Sequence, residues 1–179
     1  MINREKRTIS RGINHVGLTV PNLQQATEFL QKALDARFVY DGLTDSDSPR
    51  EGADTERQLG LTAGSMIIKQ RLLRIGNGPN LELFEIVSRE QALPVRLQDF
   101  GWNHISLYVD DIHYAVEKVR AAGGQFLSEI HGNSRHEDTD NNASVYFKAP
   151  WGSLIELQSI PKGYYYPEDS EADTWIPER

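Results

Sequence analysis

Four side chains of this sequence could jointly hold a divalent cation: His15, Glu82, His104 and Glu156. Two imidazole nitrogens and two carboxylate oxygens form a mixed, borderline-hard ligand set that suits Zn, Ni, Co, Mn or Fe(II). An octahedral ion in such a set keeps up to two positions open for water or substrate. Each glutamate interrupts an apolar run, Asn80-Leu81-Glu82-Leu83-Phe84 and Leu154-Ile155-Glu156-Leu157. A carboxylate in that setting is costly unless it is paired or coordinated. A lone histidine in a strand is more often structural than a ligand; four residues in matched positions shift the balance toward a shared cation.

The matching comes from an internal repeat. Ile13-Asn14-His15-Val16-Gly17-Leu18-Thr19-Val20 resembles Trp102-Asn103-His104-Ile105-Ser106-Leu107-Tyr108-Val109, and each copy leads to a later strand centred on a glutamate. A helix follows each histidine strand. Leu23, Ala26, Leu30, Ala33 and Leu34 have helical spacing, as do Ile112, Ala115, Val116, Val119 and Ala122 before Gly123-Gly124. Short strands near 36–40 and 125–127 come next, then strands over 66–75 and 143–148. Turn formers Gly76-Asn77-Gly78-Pro79 and Ala149-Pro150-Trp151-Gly152 precede the glutamate strands. The expected fold is α+β: two βαβββ modules, about 13–90 and 101–160, forming a curved mixed sheet around a metal-binding cavity with helices on the outer face. Residues 1–12 read as an N-terminal arm. Residues 161–179 read as an aromatic, acidic tail that docks on the body or on a second subunit. The polar stretches 41–64 and 128–142 read as long loops, the second carrying His131 and His136 at the surface.

Strand alternation sorts the faces. His15, Gly17 and Thr19 oppose Val16, Leu18 and Val20; His104, Ser106 and Tyr108 oppose Ile105, Leu107 and Val109. Glu82 opposes Leu81 and Leu83, and Glu156 opposes Ile155 and Leu157. Both histidines and both glutamates thus fall on the side away from the helices. Tyr108, Tyr146 and Lys148 share that side and are candidate substrate contacts. Glu85 competes with Glu82 as a ligand, but alternation turns it toward the helix side or a strand end, and Glu82 is the one that matches Glu156 in register.

The rest of the chain narrows the function class. There is no cysteine, so thiolate metal sites, thiol nucleophiles and disulfides are excluded. The 19 Lys+Arg against 26 Asp+Glu give a net charge of −7, which disfavours a nucleic-acid partner. No apolar run reaches the roughly 20 residues of a membrane span, and the polar first twelve residues do not read as a signal peptide. The expectation is a cytoplasmic protein acting on a small molecule, with no nucleic-acid or membrane partner.

INHVGLTVPNL, NLELFEI, WNHISLYVDDI and YFKAPWGSLIEL, in this order, resemble the vicinal oxygen chelate superfamily of glyoxalase I, methylmalonyl-CoA epimerase, extradiol dioxygenases and bleomycin and fosfomycin resistance proteins. The resemblance implies metal ligands at His15, Glu82, His104 and Glu156. It implies a metal-dependent lyase or isomerase of the glyoxalase type, moving a proton next to a carbonyl through a metal-stabilised enediolate. Glu156 is then the first choice of base and Glu82 the second. An Fe(II) extradiol-type dioxygenase, matched by His15, His104 and Glu156 alone, and a small-molecule-binding protein without catalysis are the alternatives. Ala149-Pro150-Trp151-Gly152 departs from the family's usual Asp-Pro-Asp-Gly turn and leaves a tryptophan to pack on the tail or a partner. A homodimer is expected, and the ligands could come from one chain or straddle two.

Overall fold

The computed structural model describes residues 10–178. The first module comprises β1 (His15–Thr19), α1 (Leu23–Leu34), β2 (Arg37–Leu43), α2 (Ala53–Leu59), β3 (Met66–Arg74) and β4 (Asn80–Val87). The second comprises β5 (His104–Tyr108), α3 (Ile112–Ala122), β6 (Gln125–Phe126), a 3-10 turn (Arg135–Glu137), β7 (Ala143–Lys148) and β8 (Leu154–Ser159). The sheets run β1-β4-β3-β2 and β5-β8-β7-β6, with β1 parallel to β4, β5 parallel to β8, and the other neighbours antiparallel. The two expected βαβββ modules are therefore present, with the same topology. Residues 1–9 of the expected arm lie outside the described residues.

Local chemistry fixes the helix ends. Asn22 and Asp111 cap α1 and α3, their side-chain oxygens accepting from the backbone N–H of Gln25 and Tyr114 at 2.9 and 3.0 Å. At the start of α1, Glu85 Oε2 also accepts from Leu23 N–H at 2.7 Å. That places a carboxylate against the positive end of the helix and accounts for Glu85 on the helix side. Gly123, at φ 101°, ends α3 in the left-handed conformation that glycine adopts without strain.

The apolar stripes of α1 and α3 meet. Leu30 and Val119 are fully buried in one continuous core with Leu73, Leu81, Leu83, Val145, Ile155 and Leu157. Phe29 of α1 reaches Phe147 of β7 at 6.5 Å and meets Trp151 edge-on at 5.5 Å. Trp151 thus packs on the first module's helix, where the sequence suggested the tail or a partner. Among the described residues the two sheets stay separate: β1 and β5 each have a strand neighbour on one side only.

Residues 41–64 differ from the expected loop. The first three extend β2, and 53–59 form α2, which buries no residue. Gly52 and Gly60 take positive φ at its ends, and Glu56 Oε1 accepts from Gly64 N–H at 2.7 Å. Residues 128–142 do form an irregular segment, held by a bridge between His131 and Ser144 and by the 3-10 turn.

Candidate metal and substrate site

Strand register builds the same arrangement in each module. On β1 and β4, Gly17 lies opposite Glu82, so His15 is Glu82's diagonal neighbour on the same face. On β5 and β8, Ser106 lies opposite Glu156, and His104 stands in the same diagonal position. A small residue directly opposite each carboxylate leaves room for the histidine ring to reach it. His15 Nε2 lies 3.2 Å from Glu82 Oε2, and His104 Nε2 lies 3.9 Å from Glu156 Oε2.

The preceding asparagine orients each ring. Asn14 Oδ1 lies 2.8 Å from His15 Nδ1, and Asn103 Oδ1 lies 2.6 Å from His104 Nδ1. Asn103 Nδ2 donates to Leu97 O at 3.4 Å, in keeping with the oxygen facing the ring. An amide oxygen at Nδ1 requires a proton there and leaves the Nε2 lone pair directed at the carboxylate. Two acceptors facing each other need a second ring proton or a shared cation between them. An imidazole fixed through its far nitrogen and a carboxylate within reach are what a metal-ligating pair presents. The residues therefore fit a divalent cation as two half-sites.

The four expected ligands are gathered two by two. Among the described residues, no three His, Asp or Glu side chains converge as ligands of one ion. His131 and His136 belong to no such group, and His113 is exposed at the start of α3.

Around the first pair, Gln70 of β3 donates from Nε2 to Glu82 Oε1 at 2.6 Å, and Arg50 Nη1 donates to Gln70 Oε1 at 3.4 Å. Gly42 of β2 permits this: a Cβ there would meet Gln70 Cδ and Oε1 at 3.0 Å. Around the second pair, Tyr146 lies opposite Glu156 and packs its ring edge-on to His104 at 5.4 Å. Burial and the neighbouring Glu156 charge push its pKa up to about 12, so the phenol stays protonated near neutral pH. Tyr108 shares this face and hydrogen-bonds to Tyr164 of the tail at 2.6 Å. Lys148 ends β7 on the same face, exposed. Nothing in the sequence marks Gln70 or Arg50 for this place, whereas Tyr164 belongs to the aromatic tail expected to dock on the body. The repeated Asn-His dipeptide was a visible signal for the ring-orienting asparagines.

The outer edges of β1 and β5 line one cleft of about 970 Å³, with Leu93, Val95, Trp102 and Trp175 also in its wall. Its lining is largely apolar, and Leu93 and Trp102 are almost fully exposed.

Residues 12–157 match the sequence profile of the Glyoxalase/Bleomycin resistance protein/Dioxygenase superfamily. A 2-epi-5-epi-valiolone epimerase of Actinomyces sp. is 32% identical over 168 residues, 93% of this chain and 88% of that protein. Among solved structures, a glyoxalase family protein of Bacillus cereus superposes with TM-score 0.65 at 18% identity, over 86% of this chain and 96% of that one. A variant of the fosfomycin resistance protein FosX of Listeria monocytogenes, complexed with Mn(II) and 1S,2S-dihydroxypropylphosphonic acid, superposes with TM-score 0.52 at 19% identity. That match covers 83% of this chain and 90% of the other.

Proposed function

Because the chain belongs to the Glyoxalase/Bleomycin resistance protein/Dioxygenase superfamily of metal-dependent enzymes, we propose that it is a metal-dependent isomerase that epimerises a carbon next to the carbonyl of a small hydroxylated ketone. The observation that carries this reading is the duplicated, asparagine-oriented His–Glu pair, together with the epimerase relative at 32% identity. That relative's substrate is, by its name, a ketone. The epimerase reading replaces the narrower glyoxalase type, for which nothing in the site speaks specifically.

The site is proposed to be completed by a second copy of the chain. One chain carries two half-sites, and the two strands that bear the histidines have free outer edges lining the same apolar cleft. Pairing β1 of one chain with β5 of the other satisfies both edges and covers the exposed Trp102 and Leu93. It also sets His15 and Glu82 of one copy beside His104 and Glu156 of the other. A two-fold dimer makes two such composite sites.

His15, Glu82, His104 and Glu156 would hold the divalent cation, which would supply Lewis-acid polarisation of the substrate carbonyl and stabilisation of the charge developing on its oxygen. The protein does the rest. Glu156, 8% exposed and flanked by His104 and Tyr146, takes the proton from the carbon beside the carbonyl. Glu82, borne on a different sheet and protonated for this step, gives its proton to the opposite face of that carbon, and exchange with solvent then returns Glu156 and Glu82 to their starting states. Gln70 holds one oxygen of Glu82, so that carboxylate keeps a fixed direction. Tyr108, Tyr146 and Lys148 contact the substrate.

The test is solvent exchange. Protein loaded with Mn(II) or Zn(II) is incubated with a hydroxylated cyclic ketone in deuterium oxide. Metal-dependent deuterium incorporation at the carbon next to the carbonyl is expected. Absence of exchange with every ketone tried, by protein that holds metal, overturns the isomerase reading.

A further inference from the structure

The tail brings a residue into the second half-site and completes a directed chain of hydrogen bonds there. Tyr108 lies 2.6 Å from the hydroxyl of Tyr164, whose O–H points to Gln158 Oε1 at 3.5 Å. Gln158 Nε2 in turn donates to Glu137 Oε2 at 3.3 Å. Gln158 is two residues from Glu156 on the same face of β8, and Tyr108 lies directly across from it on β5. The chain therefore continues the row that begins at His104 and Glu156.

Tyr164 is held there by its neighbours. Thr139 Oγ1 donates to Gly163 O at 2.9 Å, Tyr165 N–H donates to His136 O at 2.8 Å, and the His136 ring nitrogen lies 2.8 Å from Tyr165 O. Farther along, Asn77 Nδ2 donates to Glu178 O at 2.8 Å, and Trp175 lies against Gly78 of the first module. The tail is thus tied to the 3-10 turn at one end and to the β3–β4 turn at the other.

Two links in this chain, at 3.5 and 3.3 Å, are longer than good O–H···O and N–H···O bonds. A ligand hydroxyl both donates and accepts, so it can replace a loose link with two shorter ones. The groups present are phenols, a carboxamide and carboxylates, which match hydroxyls and repel anions. Burial keeps both phenols protonated and able to donate near neutral pH, their pKa values raised above the usual range for tyrosine.

We infer that Tyr108, Tyr164, Gln158 and Glu137 form a hydroxyl-binding subsite beside Glu156 that selects polyhydroxylated ring substrates, with Tyr164 supplied by the C-terminal tail. This rests on the reading that the His104–Glu156 face receives substrate. None of these residues needs to touch the reacting carbon; they set which ring is held and how it is turned.

The test uses binding, so that it stands apart from turnover. Mn(II)-loaded full-length protein is titrated with myo-inositol and with cyclohexanol, followed by ligand-observed NMR. The wild type is expected to prefer myo-inositol. Tyr164→Phe and Gln158→Leu are each expected to weaken myo-inositol by about fivefold and cyclohexanol, with its single hydroxyl, by less, so that the preference shrinks. Thermal unfolding of each variant checks that the fold survives. Should Gln158→Leu unfold early, Glu137→Ala, half-buried on the short 3-10 turn, carries the same expectation. Equal affinity of the wild type for both probes, or folded variants that keep the full preference, overturns the subsite. Deuterium exchange failing while the inositol preference holds would instead overturn the isomerase reading alone.

Discussion

Asn103 holds its amide oxygen 2.6 Å from Nδ1 of His104, the residue next to it in the chain. Asn14 repeats this toward His15 at 2.8 Å. The contact fixes which ring nitrogen is left for a metal, and it does so twice. Replacing either asparagine by alanine frees the ring to rotate and to change tautomer. Each of Asn14→Ala and Asn103→Ala is expected to weaken Mn(II) or Zn(II) binding by roughly 10- to 100-fold, as loss of a ligand-orienting partner does. Isothermal titration with the metal measures it. Unchanged affinity in both variants would mean that the histidines are not ligands.

Glu82 separates an isomerase from a ring-cleaving oxygenase. A three-ligand iron site matched by His15, His104 and Glu156 does not need it; the proposed epimerase uses it as ligand and second base. Glu82→Gln keeps shape and the contact to Gln70 but removes the charge. Deuterium exchange is expected to fall by at least about 100-fold, the low end of the contribution of a positioned acid–base group. Gly42→Ala approaches the same carboxylate indirectly. Its added methyl would lie 3.0 Å from Gln70 Cδ and Oε1, so the Gln70 amide must give by a few tenths of an ångström, which loosens its contact to Glu82. A loss of about tenfold is expected there, with Gln70→Ala matching it. Oxygen uptake with a catechol by the Fe(II)-loaded Glu82→Gln protein would favour the oxygenase instead.

Most of this half-site geometry is legible in the sequence because strands alternate with period two and the two modules repeat. His15 with Glu82, and His104 with Glu156, follow from that alone; alternation allows Glu85 the helix side or a strand end, and its contact to Leu23 N–H selects the first. The relation between the modules is not legible. Each module's alternation is the same whether its sheet continues into its own neighbour or into another chain, and here α1 and α3 bury their stripes together while β1 and β5, among the described residues, do not pair with each other. α2 escaped notice because it has no apolar stripe: it buries nothing and is bounded by Gly52 and Gly60. Gln70, Glu137 and Tyr164 reach the site through tertiary contacts spanning from 6 to 21 residues, or through hairpin register, which no local pattern announces.

Gly124 is a stability determinant rather than a turn convenience. It follows the left-handed Gly123 and donates its N–H to Val119 O at 2.9 Å. A Cβ there would overlap Val119 Cγ1 and press on Val119 O and Phe147 Cδ2, each at 3.2 Å. Val119 and Phe147 are fully buried, so neither can withdraw into solvent. Gly124→Ala is expected to cost about 1–3 kcal/mol through overpacking, read as a lower midpoint in urea unfolding. A midpoint equal to the wild type would show that the α3–β6 corner yields.

The composite site makes a prediction that a site within one chain cannot meet. A first variant, His15→Ala with Glu82→Ala, loses its N-terminal half-site; a second, His104→Ala with Glu156→Ala, loses its C-terminal one. Each alone forms dimers in which both sites are damaged. In a mixed dimer, one site collects both damaged halves and the other collects both intact ones. Random re-assortment of equal amounts makes about half of all dimers mixed, each with one working site of two, so about a quarter of wild-type exchange activity should return. Unfolding and refolding the two variants together supplies the mixing, and light scattering reports the dimer mass. If each chain built its own complete site, every site in the mixture would carry one damaged half and no activity would return. Recovery on mixing also requires that β1 meet β5 of the partner: a β1-to-β1 pairing would join two N-terminal half-sites, so the second variant would be active by itself and mixing would add nothing.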